Sequence, residues 1–124
     1  MLAAADDRTV WDGVYTVEQA ALGKNAYSLS CASCHGSDLS GGEDRGDPAP
    51  PLRAPDFGLR RLDVNNLYGY IKMAMPRDEP ASLDTRTYLA VVAYLLQQNG
   101  YPPGREALPT DPDALKRIRF IKKP

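Results

Sequence analysis

Two cysteines and one histidine lie within a stretch of five residues and carry the clearest chemical signal in the sequence. Cys31, Cys34 and His35 form a Cys-x-x-Cys-His motif, and the chain has no other cysteine or histidine. This pattern attaches haem covalently, because the two thiols can form thioethers with the vinyl groups on one edge of the porphyrin. The imidazole of His35 can then bind the iron as an axial ligand. The motif therefore predicts one haem c, held through Cys31 and Cys34.

Other interpretations of two cysteines at this spacing fit the chain less well. A structural zinc site needs about four ligands, and no further cysteine or histidine can complete the set. A thioredoxin-like redox pair follows a strand in a βαβ unit, whereas the segment before Cys31 has a helical pattern. A disulfide between the two cysteines would close too small a loop to constrain the unfolded chain.

The composition is typical of one globular, soluble domain. The chain has 124 residues, of which 43% are hydrophobic and 25% charged. A net charge of −1 argues against a nucleic-acid binder, and no apolar run reaches the ~18 residues of a membrane span. Residues 1–55 carry a net charge of −4 and residues 56–124 one of +3. The basic stretch 116–123 is either a solvated tail or a docking surface for an acidic partner.

Helices are expected to position the motif. Thr16 and Gln19 have capping-box spacing and start a first helix. Its inward face is predicted to hold residues at steps of three and four, namely Ala20, Gly23, Tyr27 and Cys31. Gly23 is either a tolerated glycine or a place where another backbone comes close. Residues 36–61 hold many glycines and prolines, so we expect a long irregular loop that packs on the haem.

Two longer helices and a short one are predicted after this loop. The second helix begins at Asp63 and runs to Met73. In the third helix, Ser82 is the expected N-cap and Asn99-Gly100 ends the helix. The negative charge of Asp84 is favourable near the N-terminus, the positive end of the helix dipole. The pair Asp111-Pro112 can start a short last helix, because proline suits the first helical position.

The second axial ligand is expected to be a methionine, because the chain has no second histidine. Met73 and Met75 are two residues apart, so on a regular helix they point in nearly opposite directions and only one can serve. Pro76 disfavours helical geometry at Met75 and places it in a loop. We predict Met75 as the ligand, with Met73 packed or at the surface; Met73, water or lysine in the sixth position are the alternatives.

The order of these features resembles class I cytochrome c. The run Gly23-x-x-x-Tyr27-x-x-x-Cys31-x-x-Cys34-His35 is similar to the first helix of that family, and Ala93-Tyr94-Leu95 to its last. The resemblance implies an all-α cytochrome c fold: three main helices and long loops around one covalently bound haem, with a short C-terminal extension. It also implies that Gly23 packs closely against Tyr94, where the first and last helices cross.

The segment Pro50-Pro51-Leu52 resembles the Pro-x-Leu segment of the same family. The resemblance implies that the Pro50 carbonyl accepts a hydrogen bond from the axial His35, which orients the ring and raises its basicity. It further implies that Leu52 packs on the haem.

Residues 11–15, 35–42 and 93–102 resemble bacterial periplasmic cytochromes c associated with PQQ-dependent dehydrogenases. We divide the chain into an N-terminal remnant or linker (1–10), a cytochrome c domain (11–105) and a basic C-terminal extension (106–124). Ala3-Ala4-Ala5 resembles the end of a cleaved signal peptide, so we expect a mature periplasmic protein.

These features favour a monomeric one-electron carrier that is not an enzyme. The resemblance implies transient redox partners, with a dehydrogenase as donor and an oxidase or another cytochrome as acceptor. Two alternatives stay open. An open or labile sixth position would suit a gas sensor or a peroxidase-like enzyme, and a tethered domain would act as an electron-relay subunit of a dehydrogenase complex.

Overall fold

Helices form the framework of the structure, a computed structural model that describes residues 7–44, 47–53 and 57–124. The helices of the described residues are α1 (Val17–Ser30), α2 (Ala32–His35), α3 (Val64–Ala74), α4 (Thr85–Gln98) and α5 (Pro112–Lys116). The short strands are β1 (Arg8–Thr9), β2 (Gly42–Asp44), β3 (Asp47–Ala49) and β4 (Ile118–Arg119). β1 pairs with β4 in parallel, and β2 pairs with β3 antiparallel. The predicted all-α fold class is confirmed.

Side-chain caps determine where the three long helices begin. α1 and α3 start at the predicted caps Thr16 and Asp63, whose side chains accept hydrogen bonds from backbone N–H groups at 3.0 and 2.8 Å. The prediction for α4 was wrong, because Asp84 and not Ser82 is its N-cap. The Asp84 carboxylate accepts a hydrogen bond from the backbone N–H of Thr87 at 2.8 Å. A carboxylate there also interacts favourably with the helix dipole, which the neutral serine hydroxyl does not.

This cap is expected to make thermal stability depend on pH. Hydrogen bonds from the Thr87 side chain, and then from its backbone N–H, lower the pKa of Asp84. A carboxyl whose pKa is lower in the folded state adds stability above its unfolded pKa and loses it as the pH falls through the folded value. An asparagine in place of Asp84 would keep a capping side chain without the charge. We therefore expect Asp84→Asn to melt below wild type at neutral pH, with the gap closing below the ordinary carboxyl range of about 4.

Melting curves followed by circular dichroism across that pH range test the prediction. Ser82→Ala is the matched control and should melt like wild type, because Ser82 does not cap the helix. A gap between Asp84→Asn and wild type that stays constant with pH would show that the carboxylate charge contributes nothing.

α1 and α4 pack closely against each other, and Gly23 lies where they meet. A Cβ built on Gly23 would overlap the backbone carbonyl of Ala90 and lie 2.9 Å from the Cβ of Tyr94. One turn further along α1, the rings of Tyr27 and Tyr94 pack with their centroids 5.4 Å apart. Of the two explanations offered for Gly23, close approach of another backbone is therefore correct, and the contact with Tyr94 is confirmed.

The C-terminal segment folds onto the helical body, a question that the sequence left open. Buried residues from the N-terminal and C-terminal segments belong to the same core as the long helices, among them Val10, Leu108, Leu115, Ile118 and Phe120. The predicted short helix is present as α5, with Asp111 as its N-cap and Pro112 as its first residue. The basic side chains of residues 116–123 nevertheless stay exposed. The segment therefore combines a buried apolar side with a charged outer surface.

The region predicted as an irregular loop, residues 36–61, contains the β2–β3 hairpin, in which Gly42 lies opposite Ala49. This hairpin was not expected from the sequence. Residues 45–46 and 54–56 of the loop lie outside the described residues. None of the helices described is long and apolar enough to cross a membrane.

Candidate haem site

A cavity of about 790 Å³ gathers all the predicted site residues. These residues come from α1, α2, the 50–52 segment and the end of α3: Cys31, Cys34, His35, Pro50, Leu52 and Met75. Apolar and aromatic side chains form most of the remaining wall, among them Tyr27, Phe57, Leu67, Ile71, Val91 and Leu95. The volume lies within the range of small-molecule and cofactor sites, about 300–1,000 Å³.

Both cysteines are half-buried thiols on the cavity wall and are not joined in a disulfide. α1 ends at Cys31, and the short helix α2 carries Cys34 and His35. Burial, and then the charge of Cys34, raise the pKa of the Cys31 thiol to about 11. Both thiols line the same cavity, as the attachment of one haem through two thioethers requires.

His35 is buried and held in one tautomer. Its ring Nδ1 lies 2.8 Å from the backbone carbonyl oxygen of Pro50. Because a carbonyl oxygen can only accept, Nδ1 carries the proton, and in the neutral ring Nε2 then keeps its lone pair. This is the tautomer that an imidazole needs in order to bind iron through Nε2.

Tyr27 supports the turn that carries His35. Its hydroxyl donates a hydrogen bond to the carbonyl of Gly36 at 2.6 Å, and the backbone N–H of Gly41 donates to the carbonyl of His35 at 2.7 Å. Burial is the main reason that the pKa of Tyr27 is raised, so the hydroxyl stays a donor throughout the physiological range. The sequence predicted that Tyr27 faces inward but not this hydrogen bond.

The 50–52 segment is tied to two distant parts of the chain. The backbone N–H of Leu52 donates to the carbonyl of Leu39 at 2.9 Å. The side-chain amide of Asn99 donates to the carbonyl of Leu52 at 2.8 Å. Sequence reasoning treated Asn99 only as a helix terminator, because no local pattern connects residues 47 positions apart.

The two methionines differ in where the structure places them. Met75 ends α3 in extended geometry, with φ −128° and ψ 149°, as Pro76 predicted. Met75 lines the cavity, whereas Met73 is 78% exposed and does not. The carbonyl of Met75 accepts a hydrogen bond from the hydroxyl of Tyr88 at 2.7 Å.

Arginines that the sequence analysis did not assign also line the cavity: Arg60, Arg61 and Arg77. The guanidinium carbon of Arg61 lies 4.6 Å from the ring centroid of Tyr70, itself a lining residue. Guanidinium groups bind carboxylates well, and a haem carries two carboxylate side chains. The lining residues therefore fit a haem: two thiols, an imidazole with a free lone pair, apolar walls and cations.

A helical fold around a cavity with a Cys-x-x-Cys-His motif and an oriented imidazole defines a c-type cytochrome. The chain belongs to the family described as cytochrome c oxidase, cbb3-type, subunit III, whose model matches residues 18–95. Class I cytochromes c of this kind bind haem c covalently and carry electrons.

The structure is similar to a solved structure of the sulfane dehydrogenase SoxCD from Paracoccus pantotrophus, with 26% sequence identity and a TM-score of 0.51. The match covers 79% of this chain and 53% of the other, so this chain spans about half the length of the one it matches. No curated protein gives a significant match.

Proposed function

We propose that the protein is a periplasmic one-electron carrier whose haem is attached through Cys31 and Cys34 and ligated by His35 and Met75. The observation that carries the proposal is the cavity that both axial candidates line, with the Nδ1 of His35 already hydrogen-bonded to the Pro50 carbonyl. When bound, haem supplies an iron that alternates between two oxidation states.

The residues of the chain prepare the site for that exchange. The Pro50 carbonyl orients the His35 ring and raises its basicity. The thioether of Met75 is a soft donor that favours reduced iron and raises the potential. Apolar residues such as Ile71, Val91 and Leu95 disfavour the extra charge of the oxidised state. If His35 and Met75 both bound the iron, no open position would remain for a substrate, as a carrier requires and a gas sensor or a peroxidase-like enzyme does not.

We propose a dehydrogenase, in particular a PQQ-dependent one, as electron donor, and an oxidase or another cytochrome as acceptor. The similarity to a dehydrogenase structure and the oxidase named in the family description support these two classes. The basic C-terminal segment adjoins the cavity wall, because the ring of Phe120 packs on that of Phe57, a lining residue, with the centroids 6.5 Å apart. Its exposed charges suit a transient complex with an acidic partner.

Replacing Met75 with alanine tests the ligation. The variant should keep its covalent haem but bind carbon monoxide in the ferrous form more than about tenfold faster than wild type, because nearly all molecules then have an open position. Stopped-flow spectroscopy measures the rate, and the optical spectra of both redox states report the covalent haem and the methionine ligand.

Met73→Ala is the matched control, since the exposed Met73 does not line the cavity, and it should bind carbon monoxide at the wild-type rate. Equal rates in wild type and Met75→Ala would contradict Met75 ligation. Such a result would favour an open-site gas sensor.

A further inference from the structure

Tyr88 holds both ends of the segment that carries Met75. It lies in the first turn of α4, and its side chain is buried. Its hydroxyl donates a hydrogen bond to the carbonyl of Met75 at 2.7 Å and accepts one from the backbone N–H of Leu83 at 3.3 Å. One hydroxyl group therefore bridges residues 75 and 83, the start and the end of the connection between α3 and α4.

The segment between Met75 and Leu83 is largely exposed. Residues 77–82 are all exposed. Two of its backbone hydrogen bonds close local turns, from Glu79 N–H to the Pro76 carbonyl at 2.9 Å and from Ser82 N–H to the Glu79 carbonyl at 3.2 Å. These two hydrogen bonds are local to the segment, of which Arg77 and Asp78 also line the cavity. The Tyr88 hydroxyl, by contrast, connects it to α4, whose residues 88–96 are buried.

We propose that Tyr88 is a positioning residue that sets how firmly Met75 is held at the sixth position. The inference rests on the proposed ligation by Met75. The carbonyl and the side chain of Met75 belong to one residue, so anchoring the carbonyl restricts the point from which the thioether reaches into the cavity. The second hydrogen bond, from the backbone N–H of Leu83, fixes the other end of the segment, so that movement there does not displace Met75.

Tyr88→Phe tests the proposal, because it keeps the ring and removes only the hydroxyl. Losing both hydrogen bonds should raise the population of molecules with a released Met75 by roughly five- to thirtyfold. Carbon monoxide binding to the ferrous holoprotein should accelerate by the same factor. The optical signature of methionine ligation should weaken in the same variant.

The matched control is Tyr15→Phe. Tyr15 is also buried, and its hydroxyl also donates to a backbone carbonyl, that of Tyr101, but neither residue lines the cavity. This variant should lose stability yet keep the wild-type rate of carbon monoxide binding. An equal acceleration in Tyr15→Phe would show that any loss of stability opens the site, and it would overturn the specific role of Tyr88.

A double-mutant cycle separates this inference from the proposed ligation. In a Met75→Ala background, Tyr88→Phe should leave the rate unchanged, because the residue through which it acts is gone. If Met75→Ala opens the site but Tyr88→Phe behaves like wild type, the role of Tyr88 is overturned and the ligation stands. If Met75→Ala itself behaves like wild type, the ligation fails and the role of Tyr88 with it.

Amide hydrogen exchange on wild-type holoprotein gives a measurement that needs no variant. The Leu83 amide should exchange slowly although it follows an exposed segment, because it donates to the Tyr88 hydroxyl. Exchange at the rate of an unprotected amide would overturn the anchoring role.

Discussion

Replacing Gly23 with alanine is expected to destabilise the protein by about 3 kcal/mol or more. The added methyl group would overlap the backbone carbonyl of Ala90 and crowd the Cβ of Tyr94. Overpacked side chains usually find relief by changing rotamer, but a backbone carbonyl inside a helix cannot. α1 and α4 would have to separate along the contact that also packs Tyr27 on Tyr94. Chemical denaturation of the holoprotein, followed by far-ultraviolet circular dichroism, measures the loss.

Gly69→Ala is the matched control for this prediction. Gly69 also lies inside a helix, α3, but a Cβ there would have no neighbour within 4 Å. Alanine should then stabilise the protein by up to about 1 kcal/mol through its higher helix propensity. If Gly23→Ala unfolded at the same denaturant concentration as wild type, the close approach of α1 and α4 would be wrong.

Replacing His35 with alanine is expected to abolish stable holoprotein. The substitution removes the predicted axial ligand and also leaves the carbonyl of Pro50 without its hydrogen-bond donor. Because Pro50 is exposed, water can replace that donor, so the lost bond to iron is the main effect. Covalent haem, measured by mass spectrometry and by the spectrum of the purified protein after expression with haem-attachment machinery, should be nearly absent.

Pro50→Ala is the informative comparison, because it alters the side chain and keeps the backbone carbonyl that binds His35. We expect near-normal haem incorporation in that variant. Normal incorporation in His35→Ala would contradict the assignment of the motif, and failure in Pro50→Ala would mean that the proline ring, and not its carbonyl, is what the site requires.

Much of the structure could be predicted because its causes are local. Thr16 and Asp63 cap helices through backbone groups three residues away, and Pro76 acts on the residue next to it. The choice between Ser82 and Asp84 could not be made in this way. Both are good capping residues only two positions apart, and packing of the whole helix decides where it starts.

The sequence alone determined the chemistry of this protein and the positions of its main helices. Cys31, Cys34 and His35 are neighbours in the chain, so their joint action needs no knowledge of the fold. Tertiary structure decided how the chain supports that chemistry: the Asn99 bond to Leu52, the Tyr88 bond to Met75 and the burial of the C-terminal segment. Those contacts join residues far apart in sequence, and their partners are chosen by the path of the whole chain, which propensities and spacings do not specify.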